Sequence, residues 1–342
     1  MARGRGRGRR LAVGLAPFLL SACSGVQTML DPAADQSRDI DGIWRLMLVV
    51  CGIMYLLVLA FLGWALWRAR AKQGADDAPV VGETPAEPLL SRSLTGWIGL
   101  IVAGLVLLTT ASFLVDRSLA EVGPDPLKIK VTANQWWWQA DYSGQAPSED
   151  FTTANELHLP LGRPAVIELH ANDVIHSFWV PNLSGKTDLI PGRINYVAIT
   201  PRRVGVFRGQ CAEFCGLQHA RMAFDVYVDD PKTWEAWRRH QIQGASDPRA
   251  FEAVEGKQVF TSKACVMCHR IQGTNANGTV GPDLTHVASR AHIAAGTLQN
   301  SRGDLQAWIA DPQGVKPGTT MPRVSLSSDE LNAVVSYLET LQ

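Results

Sequence analysis

The sequence carries few charged residues and no excess of one sign of charge. Asp, Glu, Lys and Arg make up 19% of its 342 residues, the formal net charge is zero, and 46% of the residues are hydrophobic. No tract rich in Lys and Arg occurs after the first ten residues, which excludes nucleic-acid binding as a function class. This balance is unusual unless part of the apolar sequence lies in lipid, so membrane segments are expected.

Cysteine is also scarce, and its distribution does not fit a disulfide framework. Two of the cysteines lie singly, and the others form two close pairs. The residues are Cys23, Cys51, Cys211, Cys215, Cys265 and Cys268. Cys51 lies in an apolar run and is interpreted as a packing residue, whereas the two pairs are candidates for metal or cofactor chemistry.

The first residues have the three-part pattern of an export signal. A basic run from Arg3 to Arg10 is followed by an apolar stretch from Leu11 to Leu20, and then by Ser21-Ala22-Cys23. The letters Leu-Ser-Ala-Cys resemble the bacterial lipoprotein box, in which the cysteine becomes the lipidated first residue of the mature protein. We therefore predict a signal peptide over residues 1–22 and a lipid anchor on Cys23. The alternative is an ordinary signal in which this cysteine has no role.

Two uncharged runs are long enough to cross a membrane, which takes about 20 residues. They predict transmembrane helices over residues 43–67 and 94–115, joined by a loop rich in Ala, Pro and acidic residues. The cations that follow the first run, Arg68, Arg70 and Lys72, place that loop in the cytoplasm by the positive-inside rule. The sequence thus predicts a transmembrane hairpin with both chain ends on the outer side, in agreement with the export signal.

The rest of the sequence changes from strand-like to helical patterns. Between residues 125 and 230, short β-favouring runs alternate with turns rich in Pro, Gly and Asn, which predicts an all-β sandwich or barrel. A helical linker is predicted for residues 231–249. Residues 250–342 are predicted to form an all-α domain, whose last helix begins with the capping-box pair Ser327 and Glu330.

One compact loop supplies most of the ligands expected of a copper site. Cys211, Cys215, His219 and Met222 follow one another within it, and His176 lies upstream. Thiolates, imidazoles and a thioether suit copper as it changes oxidation state. Zinc is the competing metal, but it gains nothing from a thioether and usually takes two separate Cys pairs. Two cysteines with three residues between them can bridge two ions, so we predict a dinuclear copper centre.

A second motif, Cys265-Val-Met-Cys268-His269, is the attachment signature of c-type haem. The two cysteines would form thioether bonds, and the histidine would be the proximal ligand. Met321, well downstream, is predicted as the second axial ligand. The alternatives for that position are His286 and His292. A thioredoxin-like redox pair would lack the histidine after the second cysteine and would need a βαβ setting.

The copper loop and its surroundings resemble cytochrome c oxidase subunit II over roughly residues 40–240. The family loop has the form Cys-x-Glu-x-Cys-x3-His-x2-Met, and every position is met here from Cys211 through Glu213 to Met222. The resemblance implies a cupredoxin-like sandwich, and it identifies Trp136, the first of three consecutive tryptophans, as the residue through which electrons enter. We expect the backbone carbonyl of Glu213 to be an axial copper ligand, and the resemblance implies that its side chain helps to bind magnesium at the interface with the catalytic subunit.

Residues 250–342 resemble the class I cytochromes c, with Gly256–Phe260 in a first helix that crosses the last helix near Tyr337. One position departs from the subunit II pattern. Members of that family often carry a glutamate three residues before the tryptophan that opens the second span, and here that position is Leu94. The resemblance therefore does not extend to proton uptake through this subunit.

The fusion of the two parts resembles subunit II of caa-type haem–copper oxidases. It implies a subunit of a proton-pumping cytochrome c oxidase that passes electrons from an external donor through haem c and copper to a separate subunit I, which reduces oxygen to water. The donor would be a cytochrome c or the bc complex, and other oxidase subunits would be partners. The expected location is the bacterial plasma membrane, with both cofactor domains on the periplasmic or outer side. The alternatives are the copper subunit of a nitric oxide reductase and a non-enzymatic electron carrier or copper-delivery module.

Overall fold

The computed structural model describes residues 24–71 and 87–342. The predicted signal peptide, the predicted lipid anchor at Cys23 and the loop of residues 72–86 lie outside the described residues. The chain divides into two compact units, one of which is Asp39–Glu121 and the other the sequence on either side of it.

The Asp39–Glu121 unit consists mainly of two long helices, α1 (Asp35–Ala71) and α2 (Glu87–Leu119). Each helix contains an 18-residue stretch with no buried residue, of mean hydropathy 2.7 in α1 and 2.4 in α2. Both helices are therefore long and apolar enough to cross a membrane. Both helices extend beyond the predicted spans of residues 43–67 and 94–115. Helical backbone hydrogen bonds continue through the polar residues at their ends, whereas a hydropathy pattern marks only the apolar part.

The β domain (residues 127–241) is a sandwich of two five-stranded sheets. Its strands are β1 (Leu127–Asn134), β2 (Trp137–Tyr142), β3 (Phe151–Ala154), β4 (Glu156–Pro160), β5 (Ala165–Ala171), β6 (His176–Trp179), β7 (Thr187–Leu189), β8 (Asn195–Ile199), β9 (Gly205–Cys211) and β10 (Ala223–Asp229). The sheet orders are β3-β2-β1-β5-β8 and β4-β10-β9-β6-β7. Strand β5 pairs in parallel with β1, and β10 pairs in parallel with β4.

The two sheets enclose one hydrophobic core. Alternate residues of β5 and β9 are buried, as expected of strands with one face turned inward. Ile167 and Leu169 of one sheet belong to the same buried cluster as Phe178 and Phe207 of the other. This shared core makes the two sheets a single cupredoxin-like domain.

The helix that follows the last strand packs on the sandwich. Helix α3 (Pro231–Gln241) begins at Asp230, whose side chain accepts hydrogen bonds from the first turn. The Trp237 ring lies 5.4 Å from Tyr142 and 5.3 Å from Phe151, and Trp234 is buried in the same cluster. The segment predicted as a linker therefore begins with a helix that completes the β-domain core.

Residues 24–34, here called the N-terminal strap, run along the β domain. Asn182 is fully buried, and its Nδ2 donates to the carbonyls of Gly25 and Asp31 while its Oδ1 accepts from the Thr28 amide. Arg203 hydrogen-bonds to the Asp31 carboxylate and lowers the pKa of that group. The strap thus has a specific binding surface on the β domain, which no local pattern in the sequence predicts.

The C-terminal domain (residues 250–342) is helical, as predicted. Its helices are α4 (Phe251–Ser262), α5 (Cys265–Cys268), α6 (Arg302–Ala310), α7 (Pro312–Val315) and α8 (Ser328–Leu338). Helices α4 and α8 cross at Gly256, where an added Cβ would lie 1.8 Å from the carbonyl oxygen of Ala333. The Phe260 and Tyr337 rings meet edge to face near the same crossing. Ser327 and Glu330 form the predicted capping box at the start of α8.

A short hairpin departs from the all-α prediction for this domain. Strands β11 (His292–Ile293) and β12 (Leu298–Gln299) are too short to produce a period-two pattern in the sequence. The turn between them places Ala295 in the left-handed region, with a φ of 58°, and the Ala295 carbonyl accepts a hydrogen bond from the Ala223 amide of β10. Contact with the β domain thus holds this turn in place.

Candidate metal and haem sites

Strand ends and one loop of the β domain bring the predicted copper ligands together. His176 begins β6 and Cys211 ends β9, and these strands are neighbours in one sheet. Cys215 lies in the loop after β9, His219 begins a 3-10 turn, and Met222 directly precedes β10. The pairing of β6 with β9 therefore brings His176 close to Cys211, although many residues separate them in the sequence.

The donor atoms of this cluster are close to one another. The Sγ atoms of Cys211 and Cys215 lie 3.7 Å apart. His176 Nδ1 lies 3.8 Å from Cys211 Sγ, and His219 Nδ1 lies 3.6 Å from Cys215 Sγ. Met222 Sδ lies 3.8 Å from Cys215 Sγ. Each imidazole thus lies beside a different thiol, which is the arrangement expected if both thiolates bridge two metal ions and one histidine terminates each.

The chemistry of the cluster fits copper. Cys211, Cys215 and Met222 are no more than 3% exposed, so the sulfur donors are shielded from water. The hydrogen bond between the two thiols lowers the pKa of Cys211 and raises the pKa of Cys215, so the pair holds one proton, which a metal ion bound to both sulfur atoms would displace. Sulfur and imidazole donors without a carboxylate among them select copper over hard cations.

Glu213 presents two different groups at this site. Its backbone carbonyl oxygen lies 3.3 Å from Cys211 Sγ, at the cluster itself. Its side chain is exposed. The carbonyl is therefore placed where the predicted axial ligand would be, while magnesium binding by the carboxylate stays a prediction.

Asp173 is a neighbour of the cluster that the sequence interpretation missed. Its Oδ1 lies 2.7 Å from His176 Nε2, which leaves His176 Nδ1 directed at the sulfur atoms. A carboxylate on the outer nitrogen fixes the orientation and the tautomer of a ligating histidine. Its Oδ2 accepts a hydrogen bond from the Gln135 amide, so the same carboxylate also fixes the chain beside Trp136. Its position three residues before His176 was the available signal.

Trp136 lies against the copper loop. Its indole Nε1 donates to the Cys215 carbonyl over 2.9 Å, and Gln135 Nε2 donates to the same oxygen over 2.8 Å. Trp136 is only 7% exposed. Trp138, two residues on, meets His176 edge to face and donates from Nε1 to the Met222 carbonyl. Two of the three consecutive tryptophans therefore contact ligand-bearing residues.

The haem-attachment motif lines an apolar cavity of about 190 Å³. Cys265, Cys268, His269 and Met321 all line this cavity. Most of the remaining wall is hydrophobic and includes Phe260, Leu305, Trp308 and Val334. Two attachment cysteines, an imidazole and a thioether around one apolar space fit a covalently bound haem.

The predicted proximal ligand is oriented by its own loop. His269 Nδ1 lies 2.8 Å from the Pro282 carbonyl oxygen, so this nitrogen donates and Nε2 remains available to a metal. Burial lowers the pKa of His269, which keeps the imidazole neutral as ligation requires. Gly281 packs on the ring, since an added Cβ would lie 2.8 Å from it.

The two alternative axial histidines are engaged elsewhere. His286 has both ring nitrogens within hydrogen-bond distance of backbone carbonyls, those of Gln342 and Gln243. His292 lines the cavity, but its Nδ1 pairs with Asp225 and its Nε2 with Gln299. This geometry favours Met321 over both as the second ligand.

The cavity wall is completed by the β domain. Trp136, Trp137 and Asn155 line it together with residues of the C-terminal domain. Lys316 also lines it, and this buried amine is the second residue that the sequence interpretation missed. Only its position five residues before Met321 connects it with the haem motif in the sequence.

Comparison with protein families and known proteins agrees with this division of the chain. Residues 145–228 match the family model of the cytochrome c oxidase subunit II periplasmic domain, and residues 253–342 match that of cytochrome c. The periplasmic domain of subunit II of cytochrome oxidase from Bradyrhizobium japonicum is a solved structure with 29% sequence identity and a TM-score of 0.33, covering 35% of this chain and 96% of that one.

Two relatives are similar to this chain over nearly the whole length of both sequences. Cytochrome c oxidase subunit 2 of Alkalihalophilus pseudofirmus is 34% identical over 340 residues, which is 98% of this chain and 97% of the relative. Cytochrome c oxidase subunit 2 of Bacillus subtilis is 28% identical over 356 residues, with 97% of each chain covered. The chain therefore belongs to the cytochrome c oxidase subunit II family, in the form that carries a cytochrome c domain at its C-terminus.

Proposed function

We propose that the chain is the subunit through which electrons enter a proton-pumping cytochrome c oxidase, from an external donor by way of haem c and a dinuclear copper centre to a catalytic subunit that reduces oxygen to water. The observation that carries the proposal is the position of Trp136. This residue lines the cavity of the haem motif, and its indole donates to the Cys215 carbonyl in the copper loop. One side chain thus contacts both candidate sites.

The chain's own residues would hold each group in a defined way. Copper would be held by the thiolates of Cys211 and Cys215, by Nδ1 of each histidine and, more weakly, by Met222 and a backbone carbonyl. When bound, copper and haem supply one-electron chemistry at potentials set by their axial ligands. Haem would be attached at Cys265 and Cys268, with His269 and Met321 on the iron.

The protein contributes a fixed and dry surrounding for these groups. His176 is held by Asp173, and His269 is held by the Pro282 carbonyl, so neither ring needs to reorient when the charge of its metal changes. The copper-loop sulfur atoms are buried, which limits the rearrangement of water. A small reorganisation at both sites favours rapid electron transfer.

The setting of the subunit follows from its anchors. A subunit II works together with other oxidase subunits, and the two apolar helices provide a membrane anchor for an outer-side domain. We place the protein in the bacterial plasma membrane, with subunit I as its electron acceptor, magnesium at the Glu213 carboxylate and a lipid on Cys23. Intact-mass analysis of the mature protein tests the lipid anchor, and we expect a chain that begins at a diacylated Cys23. An unmodified Cys23 or a mature N-terminus at another residue would contradict it.

The purified oxidase complex is expected to consume oxygen and not nitric oxide. Gas-phase measurement of both substrates with the same electron donor gives a direct comparison. Nitric oxide uptake without oxygen uptake would contradict the oxidase assignment and would place this subunit with a nitric oxide reductase.

Replacing Trp136 by Phe is expected to slow haem-to-copper transfer by about tenfold. The variant lacks the buried hydrogen bond to the Cys215 carbonyl, so the contact between this side chain and the copper loop forms a smaller fraction of the time. Both midpoint potentials should stay unchanged, because Trp136 ligates neither metal. Flash photolysis that follows the haem and copper bands separately measures the step. Trp137→Phe is the matched control, since Trp137 is buried and lines the same cavity but makes no hydrogen bond to the copper loop.

Met321→His provides the opposite pattern in the same experiment. Imidazole stabilises ferric iron better than a thioether does, so the haem potential should fall while transfer to copper continues. A wild-type transfer rate in Trp136→Phe would show that Trp136 only packs and that electrons reach the copper site by another route.

A further inference from the structure

The segment just before Met321 lies on the copper loop. Arg221 donates from Nη1 to the Val315 carbonyl over 2.7 Å, and Gln218 donates from Nε2 to the Pro317 carbonyl over 2.7 Å. Both donors belong to the loop that carries His219. The carbonyls of two residues in the C-terminal domain are therefore held by the copper loop.

A second contact joins the hairpin of the C-terminal domain to the sheet of the β domain. Ala223 N donates to the Ala295 carbonyl over 3.1 Å, and the Asp225 carboxylate lies 2.5 Å from His292 Nδ1. The Arg290 guanidinium lies 3.8 Å from the Glu156 carboxylate, with both side chains 6% exposed. The two domains thus meet over a surface with matched hydrogen bonds and opposite charges.

Lys316 lies between these two contacts. It is 2% exposed, and its Nζ donates to the Trp136 carbonyl over 2.8 Å and to the Ala294 carbonyl over 3.1 Å. The hydrogen bond to Trp136 joins Lys316 to the β domain, and the hydrogen bond to Ala294 joins it to the hairpin of its own domain. Among the described residues, Lys316 forms no ion pair with a carboxylate.

A buried amine in this position requires an explanation. Removing an ammonium from water is costly, and burial lowers the pKa of Lys316 to about 7. A Leu or Met would fill the same space at lower cost if packing were the only requirement. What the lysine adds is a donor that reaches the backbone of Trp136 and of the haem-cavity wall at the same time.

We propose that Lys316 is a positioning residue, which fixes the cytochrome c domain on the backbone of Trp136 and so holds the haem cavity and the copper loop in one arrangement for electron transfer. The proposal rests on the proposed function, because it assigns Lys316 to the transfer step between the two sites. Lys316 Nζ donates to backbone carbonyls and to none of the candidate ligands, so it acts through Trp136, whose indole donates to the Cys215 carbonyl.

The first measurement does not depend on bound cofactors. Lys316→Met removes the donor and keeps an unbranched side chain, so the full-length chain should open more often at the domain contact. We expect amide hydrogen exchange at Ala223, whose N–H bonds to the Ala295 carbonyl, to become about tenfold faster, as for loss of one buried hydrogen bond. Lys257→Met is the matched control, because Lys257 pairs with Asp247 away from this contact.

The second measurement uses the chain with haem and copper bound. Haem-to-copper transfer in Lys316→Met should slow by about tenfold, in line with the same lost hydrogen bonds, while the haem absorption bands and the copper paramagnetic resonance spectrum, which report the ligands of each metal, stay as in the wild type. A merely structural role would instead alter the spectra or the unfolding temperature of the C-terminal domain. Lys316→Gln, which retains an N–H donor on a shorter side chain, should give an intermediate rate, and it replaces Lys316→Met if that variant does not fold.

Wild-type exchange at Ala223 or a wild-type transfer rate in Lys316→Met would overturn the proposal. Failure of the proposed function would be recognised differently. If the unmodified chain showed no haem-to-copper transfer, the electron path would be wrong, whereas the exchange experiment would still report whether Lys316 holds the two domains together.

Discussion

Replacing Cys215 by Ser is expected to abolish the copper centre. Cys215 Sγ lies within 3.8 Å of three other donor atoms, on Cys211, His219 and Met222. A serine hydroxyl is a harder and poorer ligand for copper, and it does not ionise near neutral pH. In the proposed dinuclear centre this thiolate would bridge both metal ions, so its loss would prevent the two ions from sharing one unpaired electron.

Electron paramagnetic resonance and metal analysis of the full-length chain measure this effect. The mixed-valence signal, with its seven-line splitting, should be lost in Cys215→Ser and also in Cys211→Ser. Met222→Leu is the control at the same cluster, and it should retain copper with an altered potential, since an axial thioether tunes more than it holds. An unchanged seven-line spectrum in Cys215→Ser would contradict the bridging role.

Gly256→Ala is expected to destabilise the C-terminal domain by about 3 kcal/mol, the upper range for overpacking. The added Cβ would lie 1.8 Å from the Ala333 carbonyl oxygen and 2.8 Å from the Tyr337 Cβ. Neither atom can yield without moving the backbone of α8, so the two helices must separate. For a domain of this size the unfolding temperature should fall by about 10–20 °C.

Gly303→Ala is the matched control for that experiment. Gly303 lies in α6, and an added Cβ would meet nothing within 4 Å. There the same substitution should stabilise the domain by about 0.5–1 kcal/mol through helix propensity. Calorimetry of both variants in the full-length chain compares them, and equal unfolding temperatures would show that the helix crossing tolerates a side chain at Gly256.

The parts of the two sites that the sequence could predict are short motifs whose residues lie close together in the chain. The spacing from Cys211 to Met222 and the motif ending in His269 each indicate a chemistry without knowledge of the fold. The same holds for the capping box at Ser327, because capping depends on the nearest turn. These features depend on interactions between neighbouring residues, so the sequence alone is enough to predict them.

The features that could not be predicted depend on contacts between distant segments. The N-terminal strap is held by Asn182, more than a hundred residues away, and Lys316 reaches the carbonyl of Trp136 in another domain. Backbone acceptors of this kind carry no residue signature, since every residue offers a carbonyl. The short β11–β12 hairpin was missed for a related reason, because its turn is held by Ala223 of β10.

The segment of the C-terminal domain that covers Trp136 also affects how the proposed electron transfer should respond to salt. Trp136 is 7% exposed, and the segment around Lys316 and Gly318 lies against it, so a diffusing protein has no direct access to this side chain. Charge attraction between separate proteins weakens as ionic strength rises, whereas a buried contact within one chain is screened much less. If an external donor binds the C-terminal domain by charge attraction, as the proposed path requires, its delivery of electrons should slow in concentrated salt, while the rate of the internal step stays constant and independent of donor concentration.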